Sequence, residues 1–193
     1  MLNKLANLLT DRLLSSGTIP KDEQELYIYG FFMLLSNLMY LILACFLGLL
    51  SGCILESMIF YIAFQFIRRY AGGYHASTET RCEIVSALSI AACIAAIKAT
   101  KLYDWQTALL LIALVSAVCI FCLCPLDTPE KPLSEKEFRH FRKISRLILC
   151  GLVFAIVVSY CCRFFIVFAP CCVSLILESA LLLAGKLQKI RRT

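Results

Sequence analysis

Charge is scarce in this sequence. Only 17% of its 193 residues are Asp, Glu, Lys or Arg, and 61% are hydrophobic; a soluble domain averages about 25% charged and about 45–50% apolar. The apolar residues also come in long uninterrupted runs, which excludes an ordinary water-soluble enzyme and implies an integral membrane protein. The length argues for one domain, residues 1–193. A cleaved signal peptide is not expected, because the first twenty residues lack a compact apolar core and carry Lys4, Asp11 and Arg12. There is no Walker-type loop, no GxGxxG and no HExxH, and no cofactor is expected. The basic stretches have no interleaved aromatic platform, so nucleic acid is not an expected partner. Anionic lipid head groups and acidic peptides are. Histidine is rare as well, with only His75 and His140.

Cysteine, by contrast, is abundant at twelve residues. Eleven of them, at 45, 53, 93, 119, 122, 124, 150, 161, 162, 171 and 172, sit in apolar runs and read as small hydrophobes. Cys119, Cys122 and Cys124 have no histidine or carboxylate at ligand spacing, so no metal site is expected. The twelfth, Cys82, is set among charged and hydroxyl residues.

The hydrophobic pattern predicts an all-α polytopic membrane protein with about six spans. Residues 1–16 read as an interfacial amphipathic helix, with Leu2, Leu5, Leu9 and Leu13 on one stripe. The spans follow at Leu26–Leu50, Cys53–Ile67, Ile84–Ile97, Gln106–Cys124, Leu147–Cys162 and Phe164–Gly185. The second and third are short enough to form a re-entrant pair around a recessed loop. Lys98, Lys101 and Asp104 read as a small loop, and residues 125–146 as a basic cytoplasmic segment in which Ser134 and Glu137 form a capping box. With both termini inside, sixteen of the nineteen basic residues fall on the cytoplasmic side; only Lys98, Lys101 and Arg163 fall outside. The positive-inside rule prefers that arrangement, which puts residues 68–82 at the cytoplasmic surface. Small residues in the spans leave a homodimer open.

The interval RRYAGGYHASTETRC, residues 68–82, is the polar centre of this chain. His75 and Cys82 are seven apart and would share a face of a continuous helix; a bend at Gly72-Gly73 offers another way to join them. A thiol near an imidazole is the minimum for a cysteine nucleophile. Arg68, Arg69 and Arg81 favour the thiolate, as does a helix N-terminus near Ser77 or Thr78. Glu79, Glu83, Gln65 and Asn37 are candidate orienters that nothing ranks. Oxyanion donors are expected from backbone amides near Gly73 or at the start of the third span. His140 reads as a solvated residue.

The order Arg68, Gly72-Gly73, His75, Cys82 resembles the AgrB-like membrane peptidases of Gram-positive quorum-sensing systems. The later loop of Pro125, Asp127, Pro129, Lys131 and Pro132 resembles them too. The resemblance implies a cysteine endopeptidase with Cys82 as nucleophile, His75 as base, and Arg68, Gly72 and Gly73 in support. It implies an AgrD-like precursor peptide as partner, cut through an acyl-thioester and cyclised to a thiolactone or lactone. Lys131, Lys136, Arg139, Arg142 and Lys143 would then hold the precursor's acidic tail. A second class of function is a small transporter or channel subunit using Glu56, Arg163 and Glu178 inside the membrane. A third is a redox or metal protein built on the cysteines.

Overall fold

The computed structural model describes residues 2–74, 78–126 and 134–192, without the side chains of Glu79 and Arg192. Every regular element among them is a helix: α1 (Leu2–Ser15), α2 (Gln24–Ser51), α3 (Ile54–Ala71), α4 (Glu79–Leu102), α5 (Gln106–Leu123), α6 (Glu135–Cys161) and α7 (Phe165–Arg192), with one short 3-10 turn at Lys21–Glu23. The chain falls into two compact units, Met1–Leu43 and Ala44–Thr193.

In the first unit, α1 is amphipathic, as the leucine spacing predicts. The stripe is rotated: Ala6 and Thr10 are buried, Leu2, Leu9 and Leu13 half-buried, and Leu5 and Leu8 exposed. The Thr10 hydroxyl donates to the Ala6 carbonyl (2.9 Å), which lets a polar side chain sit on the buried face. Gln24 at the head of α2 donates to Asp11 (3.3 Å).

In the second unit, α7 is the central element and packs against α3, α4, α5 and α6. Phe168, Leu175 and Leu182, seven residues apart, are fully buried along it. Between them Cys171, Cys172, Ser174 and Ser179 are also buried. Such small side chains let neighbouring backbones approach, and in lipid that close contact is what holds helices together. The partners repeat the spacing: Phe60 and Ile67 on α3, and Leu149 and Ile156 on α6, are buried pairs seven apart. Burial makes a thiol here a small hydrophobe, as the sequence reading expects of these cysteines.

Among the described residues five helices are long and apolar enough to cross a membrane: α2, with the 3-10 turn before it, and α4 to α7. Helix α3 is not among them, because Glu56, Arg68 and Arg69 lie within it. Its 18 residues rise about 27 Å, close to the hydrocarbon thickness of about 30 Å.

Two boundaries differ from the sequence expectation. The third span is not short: α4 has 24 residues and includes Lys98 and Lys101, which the sequence placed in a loop. Charged residues end an apolar run but not a helix, and lysines near a helix C-terminus complement its dipole. Likewise, the basic segment after Ser134 and the span after Leu147 are one helix, α6, of 27 residues. Its length of about 40 Å exceeds the hydrocarbon layer, so its first, charged turns stand clear of the apolar part.

Candidate functional site

The C-terminal end of α3 delivers Arg68 to a turn that only glycine can make. The chain leaves the helix at Gly72 (φ +77°) and Gly73 (φ +129°), both in the left-handed half of backbone space. Space is also lacking. A Cβ on Gly72 would lie 2.7 Å from the Leu126 carbonyl oxygen, and one on Gly73 would overlap Arg68 Nη1. Leu126, just past α5, is held here because its N–H donates to the Ala71 carbonyl (2.8 Å). On the other side the Tyr74 N–H donates to Leu181 O on α7 (2.9 Å). Gly185, one turn further along α7, makes room for it, since a Cβ there would be 2.8 Å from Tyr74 N.

Arg68 locks this turn. Its Nη1 donates to the Gly72 carbonyl and its Nη2 to the Tyr74 carbonyl (2.6 Å). The planar guanidinium presents both donors in one rigid fork, which a lysine cannot do. Glu178 of α7 lies beside it, with Oε2 3.9 Å from Nη1. Glu178 is fully buried, and among the described residues neither of its oxygens has a hydrogen-bond donor.

Helix α4 begins at the other end of the polar interval. Thr78 is its N-cap and accepts from the Arg81 N–H (3.4 Å), while the Cys82 N–H donates to the Thr78 carbonyl (3.0 Å). Cys82 is therefore at the first turn of a helix, half-buried, as the sequence predicts. The first amides of such a helix lack intrahelical partners and favour an anion nearby. His75 lies outside the described residues, between Tyr74 and Thr78. Of the candidate orienters, Glu83 is exposed and Gln65 donates to the Tyr61 hydroxyl (2.6 Å) one turn back on α3. The Glu79 side chain is outside the described set, and Asn37 belongs to the first unit.

The basic residues proposed for a substrate tail lie mostly on α6. Ser134 and Glu137 form the reciprocal capping box that the sequence announces. Lys136, Arg139, Arg142 and Lys143 are exposed on the first turns, with His140 among them. Lys131 lies outside the described residues. At the buried base of this stretch the Arg146 guanidinium stacks on Phe121, 4.0 Å from its centroid. Nearby Cys124 is buried and shares a hydrogen bond with Ser145 (3.3 Å). It is a packing residue.

Sequence reasoning missed Glu178, Leu126 and Gly185 as parts of this site. Glu178 carried a signal, since a carboxylate in an apolar span is rarely idle. It was legible as an intramembrane group, though not as the partner of Arg68. Nothing in the sequence marks Leu126 or Gly185.

At the opposite end of α3, Glu56 is buried and pairs with Lys101 of α4. The pair borders a cavity of about 240 Å³ lined also by Ile97, Thr100, Gln106, Phe165 and Phe168. Arg163 is exposed in the turn between α6 and α7. The three charges considered for a transporter thus occupy separate places.

The fold and this turn define a class, an all-helical multi-pass membrane protein with an organised polar turn at the C-terminal end of α3. The chain belongs to the accessory gene regulator B (AgrB) family, whose model it matches over residues 2–183. It is 26% identical over 166 residues to an AgrB-like protein of Clostridium perfringens strain SM101, covering 82% of this chain and 77% of that one. An AgrB-like protein of Listeria monocytogenes strain HCC23 is 27% identical over 161 residues, covering 79% and 76%. No solved structure matches the chain.

Proposed function

We propose that this protein is a membrane cysteine endopeptidase that cuts an AgrD-like precursor peptide and closes it into a thiolactone or lactone. Family membership supports a place in the accessory gene regulator system. The observation that carries the finer reading is Cys82 at the first turn of α4, eight residues after a turn that Arg68 clamps up to Tyr74.

In this reading His75 takes the Cys82 proton, and the thiolate attacks the carbonyl carbon of the scissile peptide bond. Developing oxyanion charge falls to backbone amides, with those at the start of α4 the nearest to Cys82 in sequence. The protonated imidazole gives its proton to the leaving amine as the C–N bond breaks, and an acyl-thioester on Cys82 remains. A thiol or hydroxyl within the bound segment then attacks the same carbonyl. Its proton passes by way of the imidazole back to the Cys82 sulfur, which leaves as the ring closes. A thioester keeps its acyl-transfer potential, so no nucleotide is consumed. A site at the membrane boundary limits water, which favours ring closure over hydrolysis. The site and both termini face the cytoplasm in this proposal, because that arrangement keeps most of the basic residues inside.

Co-expression with the precursor tests it. Mass spectrometry should find a thioester adduct on Cys82. Cys82→Ala and His75→Ala should each abolish cleavage while the protein still inserts; cleavage that persists in either variant refutes the reading.

A further inference from the structure

We propose that Glu178 is a positioning residue for this reaction, acting through Arg68 on the turn that ends at Tyr74. The inference rests on the peptidase reading above and adds to it the buried carboxylate of α7.

Glu178, Leu181 and Gly185 fall at i, i+3 and i+7 on α7, so they share one face. That face is the floor of the site. Leu181 binds the Tyr74 amide, Gly185 leaves room for Gly73 and Tyr74, and Glu178 faces Arg68. A fully buried carboxylate with no hydrogen-bond donor among the described residues is expensive unless a cation answers it. Arg68 at 3.9 Å is that cation. Its own fork is committed to the carbonyls of Gly72 and Tyr74, and the nitrogen nearest Glu178 is the one that donates to Gly72. Its side chain is 18% exposed, so a path to water is open to it. Glu178 holds the charge inward. Without that charge the guanidinium turns toward water and releases the Tyr74 carbonyl, one residue before His75. A glutamine would fill the same volume, so the reason for a carboxylate is electrical.

The test uses the full-length protein in native membranes, and reads alkylation of the Cys82 peptide by iodoacetamide across pH, resolved by mass spectrometry. Precursor cleavage is measured in parallel. Wild type should react at least tenfold faster than His75→Ala near neutral pH. Glu178→Gln should fall part of the way from wild type toward His75→Ala, by at least threefold, and Glu178→Asp should lie between it and wild type. In cleavage, Glu178→Gln should lose about tenfold in kcat with KM little changed. The double variant Arg68→Gln/Glu178→Gln should be no worse than Arg68→Gln alone, since the two act as one unit. A wild-type profile in Glu178→Gln overturns the inference while leaving the peptidase reading intact. If wild type and His75→Ala share a profile, the peptidase reading falls and this inference with it. Should Glu178→Gln not accumulate, Glu178→Asp carries the test, because its shorter carboxylate retreats from Arg68; an unchanged profile there overturns the inference too.

Discussion

Helix α3 carries a charged pair at each end, and the two are built differently. At its N-terminal end Glu56 meets Lys101, whose side chain is 47% exposed. At its C-terminal end Glu178 meets Arg68, the carboxylate fully buried and the cation's side chain 18% exposed. Lysine is a compact, strongly hydrated charge that does one thing at such an end, which is to neutralise Glu56. Arginine's donors point in fixed directions, and here they are aimed at the carbonyls of Gly72 and Tyr74. The first pair ties α3 to α4. The second fixes the turn from Gly72 to Tyr74 through two hydrogen bonds from one side chain. A charge inside a helix bundle is therefore not a functional mark in itself; what its donors are committed to decides.

The sharpest way to break this comparison is Arg68→Lys. The charge opposite Glu178 survives, but one of the two carbonyl contacts must go. A hydrogen bond to a charged group is worth about 1.5–3 kcal/mol, so processing of the precursor should fall by about tenfold to a hundredfold. The protein should still reach the membrane at normal abundance. Near wild-type processing in Arg68→Lys would mean that charge alone is what the site uses. Gly73→Ala should be at least as severe, because φ is +129° there and the new Cβ overlaps the guanidinium.

Next in size is Gly185→Ala. Its Cβ would stand 2.8 Å from Tyr74 N and 2.9 Å from Gly73 C. Overpacking of this kind costs about 1–3 kcal/mol. The cost should appear both in thermal stability and in processing, since the floor of the site is pushed up beneath the loop. A stability loss with unchanged processing would separate the α7 floor from the site.

Much of this was legible in the sequence wherever the cause is local. Thr78 caps α4 three residues ahead of Arg81, and Ser134 with Glu137 caps α6, because capping needs only neighbours in the chain. The membrane class followed from composition, and the family from Arg68, Gly72, Gly73, His75 and Cys82 in order. Span limits were less legible. Glu83 and Lys98 interrupt the apolar run of α4 without interrupting its hydrogen bonds, so counting uncharged residues shortened it. Least legible was the pairing of Arg68 with Glu178 and the seating of Leu126 against Gly72. These join residues far apart in the chain, and only the packing around α7 brings them together.

A third way to sharpen the contrast uses exposed charge. Lys136, Arg139, Arg142 and Lys143 stand on the hydrated turns of α6 and have no such buried geometry. Reversing all four to Glu should raise KM for an acidic-tailed precursor several-fold and leave kcat and insertion nearly unchanged. The effect should shrink as salt rises, since exposed charges are screened within about 10 Å at 0.1 M. An unchanged KM would remove these residues from substrate binding.

The smallest effect is expected at the other end of α3. Replacing both partners, Glu56→Gln with Lys101→Met, removes an ion pair and keeps most of the volume. Loss of one partner from a fully buried pair costs about 3–5 kcal/mol, but removing both together avoids an orphaned charge. Exposure of Lys101 discounts the pair further, toward the 0–1 kcal/mol scale of surface ion pairs. Thermal unfolding should therefore move little and peptide processing should stay within about twofold of wild type. The matching replacement at the opposite end, Arg68→Gln with Glu178→Gln, also leaves no orphaned charge, yet it should all but stop processing because the fork is gone. If instead the Glu56 and Lys101 variant lost tenfold or more, α3 would have to carry strain from one face of the bundle to the other. The cavity beside Lys101 would then belong to the working site.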